Sequence, residues 1–151
     1  MKIGVISDTH ARFISEVPSA ILNALATVDL IVHAGDFTDK AVLDGLAAIG
    51  QVKAVSGNMG SQELKKLLPR TELFALGKKK IGLVHGSGGP SGMAERAREL
   101  FTDADVIIFG HSHVPCNRYI RGALLFNPGH ARNSFGLITI DDSIKAEIMK
   151  A

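Results

Sequence analysis

Five short, largely apolar runs rich in β-branched residues recur along the chain: Ile3 to Ile6, Leu30 to Val32, Val52 to Val55, Ile81 to Val84 and Val106 to Phe109. Such runs suit strands covered on both faces. Between them, hydrophobic positions recur at helical spacing. Val17, Ile21 and Leu25 form one set, and Val42, Leu46 and Ile49 another. Met93, Ala97 and Leu100 or Phe101 mark a third, shorter helix after Pro90-Ser91. Strand and helix in alternation predict a largely parallel sheet. The second half changes character. Thr71 to Leu76 and Lys80 to Val84 flank Gly77, Tyr119-Ile120 and Ala123 to Phe126 flank Arg121-Gly122, and Phe135 to Ile140 and Ile144 to Met149 flank Asp141-Asp142. These segments read as hairpins. The expected class is α/β (α+β), with a mixed sheet or two facing sheets and outer helices.

Composition narrows the picture in three ways. A length of 151 residues is near the commonest size for one domain, and no Pro/Ser-rich linker, charge block or repeat divides it, so residues 1–151 read as a single domain. A net charge of +2 is too small to argue for a nucleic-acid or membrane partner. No apolar run approaches the roughly 20 residues of a membrane span, and the N-terminal run is too short for a signal peptide. Cys116 is the only cysteine and cannot form an internal disulfide, which fits a reducing compartment. The expected location is the cytoplasm, and oligomeric state is left open, a homo-oligomer included.

The candidate chemistry lies just beyond each buried run. Ile3 to Ser7 ends in Asp8-Thr9-His10, and Leu30 to Val32 leads to His33-Ala34-Gly35-Asp36. Val52 to Val55 leads to Ser56-Gly57-Asn58, Ile81 to Val84 to His85-Gly86, and Val106 to Phe109 to Gly110-His111-Ser112-His113. In open α/β sheets, ligands gather outside the carboxyl ends of the strands. Seven donors, Asp8, His10, Asp36, Asn58, His85, His111 and His113, are therefore expected on one rim. Glycines 35, 57, 86 and 110 flank them and let the backbone approach an ion or a phosphate. Four imidazoles, two carboxylates and one amide favour Mn, Fe, Ni or Zn over Ca. Seven ligands exceed what one tetrahedral ion needs, whereas two ions sharing a bridging carboxylate use them all.

Each piece alone has a plainer reading. Asp8-x-His10 can be a turn with a capping Asp, Gly35-Asp36 a loop, Gly57-Asn58 a tight turn, and His85 a packing residue. Jointly they point to a metal centre. His33, at the end of its strand, reads instead as a buried hydrogen-bonding group behind the ligands. His130, Arg12 and Arg132 read first as solvent-facing loop residues, with a grip on substrate as the second reading of each.

The pattern Asp-x-His, Gly-Asp, Gly-Asn, His-Gly and Gly-His-x-His resembles the calcineurin-like metallophosphoesterases. Within them the chain looks like the small phosphodiesterase family of bacteria and archaea, including the turn Asn127-Pro128-Gly129. The resemblance implies a four-layer αββα sandwich of two mixed β-sheets flanked by helices. It implies that Asp8, His10 and His113 hold one ion, that Asn58, His85 and His111 hold the other, and that Asp36 bridges both. Three departures stand out. Met59-Gly60 follows Asn58, where many relatives carry a catalytic His and the small phosphodiesterases often show Cys-Asp. Ser87 stands where a second His is frequent, and His130 where a Ser is frequent.

The activity expected is a metal-dependent phosphoesterase, phosphodiesterase or phosphatase, working by a two-metal, bridging-hydroxide in-line displacement on a small phosphate ester. Manganese heads the candidate ions, with Ni, Fe, Zn or Mg as alternatives. Asp36, Asn58 and His85 are assigned to catalysis as well as to metal binding. Met59 has no proton to give, so esters with acidic leaving alcohols, such as aryl diesters, should turn over faster than alkyl monoesters. Water, His130 or His10 would serve poorer leaving groups. Two rivals remain. One is a non-catalytic protein-interaction scaffold of the same fold, as in a retromer coat subunit. The other is a nuclease of the same superfamily, which would need a basic groove, whereas Lys78-Lys79-Lys80 reads as a solvated hairpin turn.

Overall fold

The computed structural model describes residues 1–58 and 60–151, so Met59, on which the leaving-group expectation rests, lies outside the described residues. Among the described residues, ten strands form two five-stranded mixed sheets. The first contains β1 (Lys2–Ile6), β2 (Leu30–His33), β3 (Val52–Ala54), β9 (Ser134–Ile140) and β10 (Ile144–Lys150), in the order β10-β9-β1-β2-β3. The second contains β4 (Thr71–Leu76), β5 (Lys79–Val84), β6 (Val106–Ile108), β7 (Cys116–Ile120) and β8 (Ala123–Asn127), in the order β4-β5-β6-β8-β7. Strands β1, β2 and β3 pair in parallel, as do β5, β6 and β8, while all three expected hairpins are antiparallel.

Alternation along each strand sorts side chains into three apolar layers. Ile3, Val5, Leu30 and Val32 face Ile81, Leu83, Val106, Ile108, Leu124 and Phe126 across the gap between the sheets. On the outer face of the first sheet, Ile6 and Ile31 meet Ile21 and Leu25 of α1 (Ser19–Leu25) and Val42 and Leu46 of α2 (Lys40–Ile49). On the outer face of the second, Ile107 and Leu125 meet Met93, Ala94 and Ala97 of α4 (Met93–Leu100). The four-layer αββα sandwich follows from this sorting. No helix of the described residues is long and apolar enough to cross a membrane.

Two local details depart from the sequence pattern. Val17 keeps the apolar spacing but sits in extended backbone after a 3-10 turn at Ile14–Glu16, and Pro18 precedes the helix proper. A further helix, α3 (Gln62–Leu67), follows Ser61, whose hydroxyl accepts from the Leu64 amide at 3.2 Å. Its one buried residue, Leu64, is too little for a periodic signal.

Candidate metal centre

The carboxyl ends of β1, β2, β3, β5 and β6 meet at one rim, and the backbone there stitches the loops together. The Asp8 amide donates to Gly35 O at 3.0 Å and the His10 amide to Asp36 O at 3.2 Å, joining the loops after β1 and β2. The Gly110 amide donates to His85 O at 3.0 Å, joining the loops after β5 and β6. His85 Nδ1 donates to Ala34 O at 2.7 Å and so ties the second sheet to the first. Close approach needs glycine at two places. A Cβ on Gly57 would collide with the Asp36 carboxylate and backbone, and one on Gly110 with the Ser7 hydroxyl and Asp8 Oδ2.

Five of the seven candidate donors occupy the left-handed backbone region: Asp8 (φ 55°), His10 (49°), Asp36 (64°), His111 (68°) and His113 (62°). That region costs an L residue roughly 1–2 kcal/mol, although Asp, Asn and His tolerate it best. Strain of this kind persists where the surrounding structure enforces it, and it clusters at functional sites. Here it aims side chains from sharp turns into one space.

The donors fall into two groups. Asp8, His10 and His113 place one ligand atom each within 4.8 Å of the others, and Asp36, His85 and His111 do the same. Asp36 lies between the groups, with Oδ2 at 3.6 Å from His10 Nε2 and 3.3 Å from His85 Nε2. Across the other side, Asp8 Oδ1 is 3.3 Å from His113 Nε2 and 3.8 Å from His85 Nε2. Bonds of about 2.1 Å to one cation put ligand atoms roughly 3 to 4.2 Å apart, which matches these separations.

Polar satisfaction supplies the test of fit. Asp8 Oδ1, His10 Nε2 and His85 Nε2 are buried and find no hydrogen-bond partner among the described residues. Such groups normally have one. Two of the three have anchored companion atoms: Asp8 Oδ2 accepts from the Ser7 hydroxyl at 2.7 Å and the His111 amide at 3.2 Å, and His85 Nδ1 is held on Ala34 O. His111 is held on both ring nitrogens, donating from Nε2 to Gly88 O at 3.0 Å and accepting at Nδ1 from Asn58 Nδ2 at 2.8 Å. Exchanging the Asn58 amide atoms would turn its oxygen towards the Nδ1 lone pair, an arrangement that a shared cation makes favourable. Carboxylates and imidazoles crowded at 3.3 to 3.8 Å, with Asp8 and His85 held from behind and three buried atoms lacking a hydrogen bond among the described residues, fit divalent metal.

Neighbouring charge and burial set the protonation of the rim. Burial alone would lower the His85 pKa, but the Asp36 carboxylate beside it, with help from Ala34 O and Asp8, raises it above the ordinary value. A proton there stands in for positive charge that a cation would supply. His33 behaves oppositely: full burial, with His85 nearby, lowers its pKa to about 3. It accepts from the Gly35 amide at Nδ1 (3.0 Å), so its Nε2 carries the proton that reaches Thr9 Oγ1 at 3.2 Å. A neutral imidazole thereby braces the turns carrying Asp8 and Asp36.

The second-rank residues part company. His130 reaches the rim, with its ring 5.1 Å from that of His10 and 4.9 Å from that of His113. Burial, then the two neighbouring imidazoles, lower its pKa. Arg12 and Arg132 are exposed beside the rim loops. Two features escaped the sequence reading. Ser7, which orients Asp8, had adjacency as its only signal. A cleft of about 410 Å3 opens beside Asn58 and His85 and had none.

Known proteins share both the sequence pattern and the fold. The model of the calcineurin-like phosphoesterase superfamily domain matches residues 1–141. A probable metallophosphoesterase of Methanothermobacter thermautotrophicus is 41% identical over 132 residues, spanning 85% of this chain and 76% of the relative. A probable metallophosphoesterase of Methanocaldococcus jannaschii is 38% identical over 159 residues, spanning 99% and 81%. Among solved structures, wild-type Vps29 of Entamoeba histolytica complexed with zinc superposes with a TM-score of 0.77 at 27% identity, covering 99% of both chains.

Proposed function

Because the chain belongs to the calcineurin-like phosphoesterase superfamily, we propose that it is a cytoplasmic, single-domain enzyme that hydrolyses small phosphate esters with two divalent ions, manganese foremost. The observation that carries this reading is the trio of buried atoms, Asp8 Oδ1, His10 Nε2 and His85 Nε2, which lack a hydrogen bond among the described residues and crowd against one another's carboxylates and imidazoles at 3.3 to 3.8 Å. Asp8, His10 and His113 hold one ion, Asn58, His85 and His111 the other, and Asp36 is shared. The two groups of three donors and the position of Asp36 between them support that division. When bound, such ions make hydroxide available near neutral pH and offset charge on the phosphoryl oxygens.

The chain's own groups do the rest. Ser7 and the His111 amide fix Asp8, and Ala34 O fixes the His85 ring, so neither ligand must reorganise as charge develops. Asn58 and His85, with Asp36 beside His85, line the face where the cleft meets the rim and orient the ester there. Asp8 and Asp36 bring two negative charges against four from two divalent ions, so the loaded centre attracts an anion. His130, beside His10 and His113, offers a donor to a substrate oxygen. Met59 has no proton to lend a departing alcohol, so the rate depends on the leaving group.

The test is direct. Protein purified without chelator should hydrolyse bis(p-nitrophenyl) phosphate, lose activity in EDTA and regain it with Mn. Across a panel of esters, the rate should fall as leaving-group pKa rises. Absence of metal-dependent hydrolysis would leave the binding scaffold as the better account, and a flat rate across the panel would contradict the role given to Met59.

A further inference from the structure

The cleft beside the rim supports a statement about substrate class, which rests on the phosphoesterase reading. Asn58 and His85, both assigned to the metal centre, also line the cleft, so whatever fills it is continuous with the reacting phosphate. Its wall is apolar: Val84 at the end of β5, then Met93, Ala97 and Leu100 along one side of α4. Leu100 is 60% exposed, an apolar residue of the lining left uncovered. Arg70, just before β4, lines the same cleft. The charged pairs of Lys and Arg among the described residues use Lys40, Lys53, Lys80 and Arg118, and Arg70 is in none of them. Arg96 also reaches the cleft, but its guanidinium is held by the carbonyls of Ser87, Gly89 and Ser91, so it builds wall rather than offering charge.

We propose that this cleft seats one ester arm of the substrate, that the arm is an aromatic ring, and that Arg70 binds an anionic substituent on that ring. A volume of about 410 Å3 lies within the usual range of small-molecule pockets and exceeds what a methyl or ethyl arm would fill. Methionine sulfur packs well against aromatic rings, often at the edge, and a guanidinium favours their faces. The chemistry agrees independently: with no proton donor at Met59, acidic alcohols leave best, and phenols are acidic alcohols that also suit an apolar wall.

Binding of inert phosphonates to the manganese-loaded protein tests this without requiring turnover. By calorimetry, phenylphosphonate should bind roughly tenfold or more tighter than methylphosphonate, as expected for burying a ring. A 4-carboxyphenylphosphonate should bind tighter again. Leu100→Asp should bring phenyl and methyl to within about threefold of one another. Arg70→Gln should remove the carboxylate advantage and keep the ring preference. Tyr119→Ser, which deletes an exposed ring on the far edge strand, should alter neither ratio. Equal affinity for phenyl and methyl, a ring preference that survives Leu100→Asp, or no saturable binding of any phosphonate overturns the proposal. Hydrolysis of bis(p-nitrophenyl) phosphate is read separately. Turnover without a ring preference sinks the cleft alone, and a ring preference without turnover sinks the enzyme reading alone.

Discussion

Asp36 is the residue on which both halves of the rim depend, with its Oδ2 3.6 Å from His10 Nε2 and 3.3 Å from His85 Nε2. Asp36→Asn keeps the shape and removes the charge, so both ions should weaken together, each by more than about tenfold. His113→Ala removes a donor from one group and should weaken chiefly one ion. Manganese titration calorimetry distinguishes these patterns, and full activity with two-site binding in Asp36→Asn would defeat the sharing. His33 makes a different prediction. Its folded pKa of about 3 lies below the unfolded value near 6.5, so the unfolded chain binds the extra proton. The stability it contributes is whole above about pH 6.5 and is lost as pH falls towards 3, on the order of 3 kcal/mol by pH 4.5. Urea unfolding in EDTA at pH 7.5 and 4.5 should show that loss in the wild type and a smaller one in His33→Gln. Equal losses would place the acid sensitivity elsewhere.

Elements deliver these residues, and their ends matter more than their middles. Within three residues of the ends of β1, β2, β3, β5 and β6 a glycine or a left-handed residue turns the chain, and Asp8, Asp36, Asn58, His85 and His111 stand at or beside those turns. Strand and helix types were readable because local periodicity alone sets them: Val42 and Leu46 are the buried positions of α2. Short elements escaped for the same reason, since the six residues of α3 bury only Leu64. The start of α2 relies on Asp39, whose carboxylate accepts from the Ala41 amide at 3.0 Å. Asp39→Ala should cost about 1 kcal/mol of stability, measured by urea unfolding. No change would mean that packing of Val42 and Leu46 sets that helix start unaided.

At the scale of the molecule, the rim draws loops from both sheets, and bound ions would clamp one sheet to the other. Ligands that bind only the folded state stabilise it by mass action, about 2.7 kcal/mol at a hundredfold excess over Kd. For a chain of this size that corresponds to a rise of roughly 5–10 °C in Tm. Thermal unfolding in excess Mn against EDTA should show such a shift, and Asp36→Asn should abolish most of it. An unchanged midpoint would argue that the rim takes up no metal.

The order of strands and helices, the outward-facing donors at their ends and the kinds of metal those donors suit were all set by local sequence. Period-two and helical spacing, and the chemistry of Asp, Asn and His, need no partner to be read. Which strands became neighbours was decided by the tertiary structure, because pairings such as Lys2 with Thr139 join segments from opposite ends of the chain. The same holds for His130 packed against His10 and His113, for the imidazole of His33 bracing two turns, and for Arg70 brought to the cleft beside α4. Those placements depend on burying three apolar layers at once, a sum over the whole chain that no single stretch of it contains.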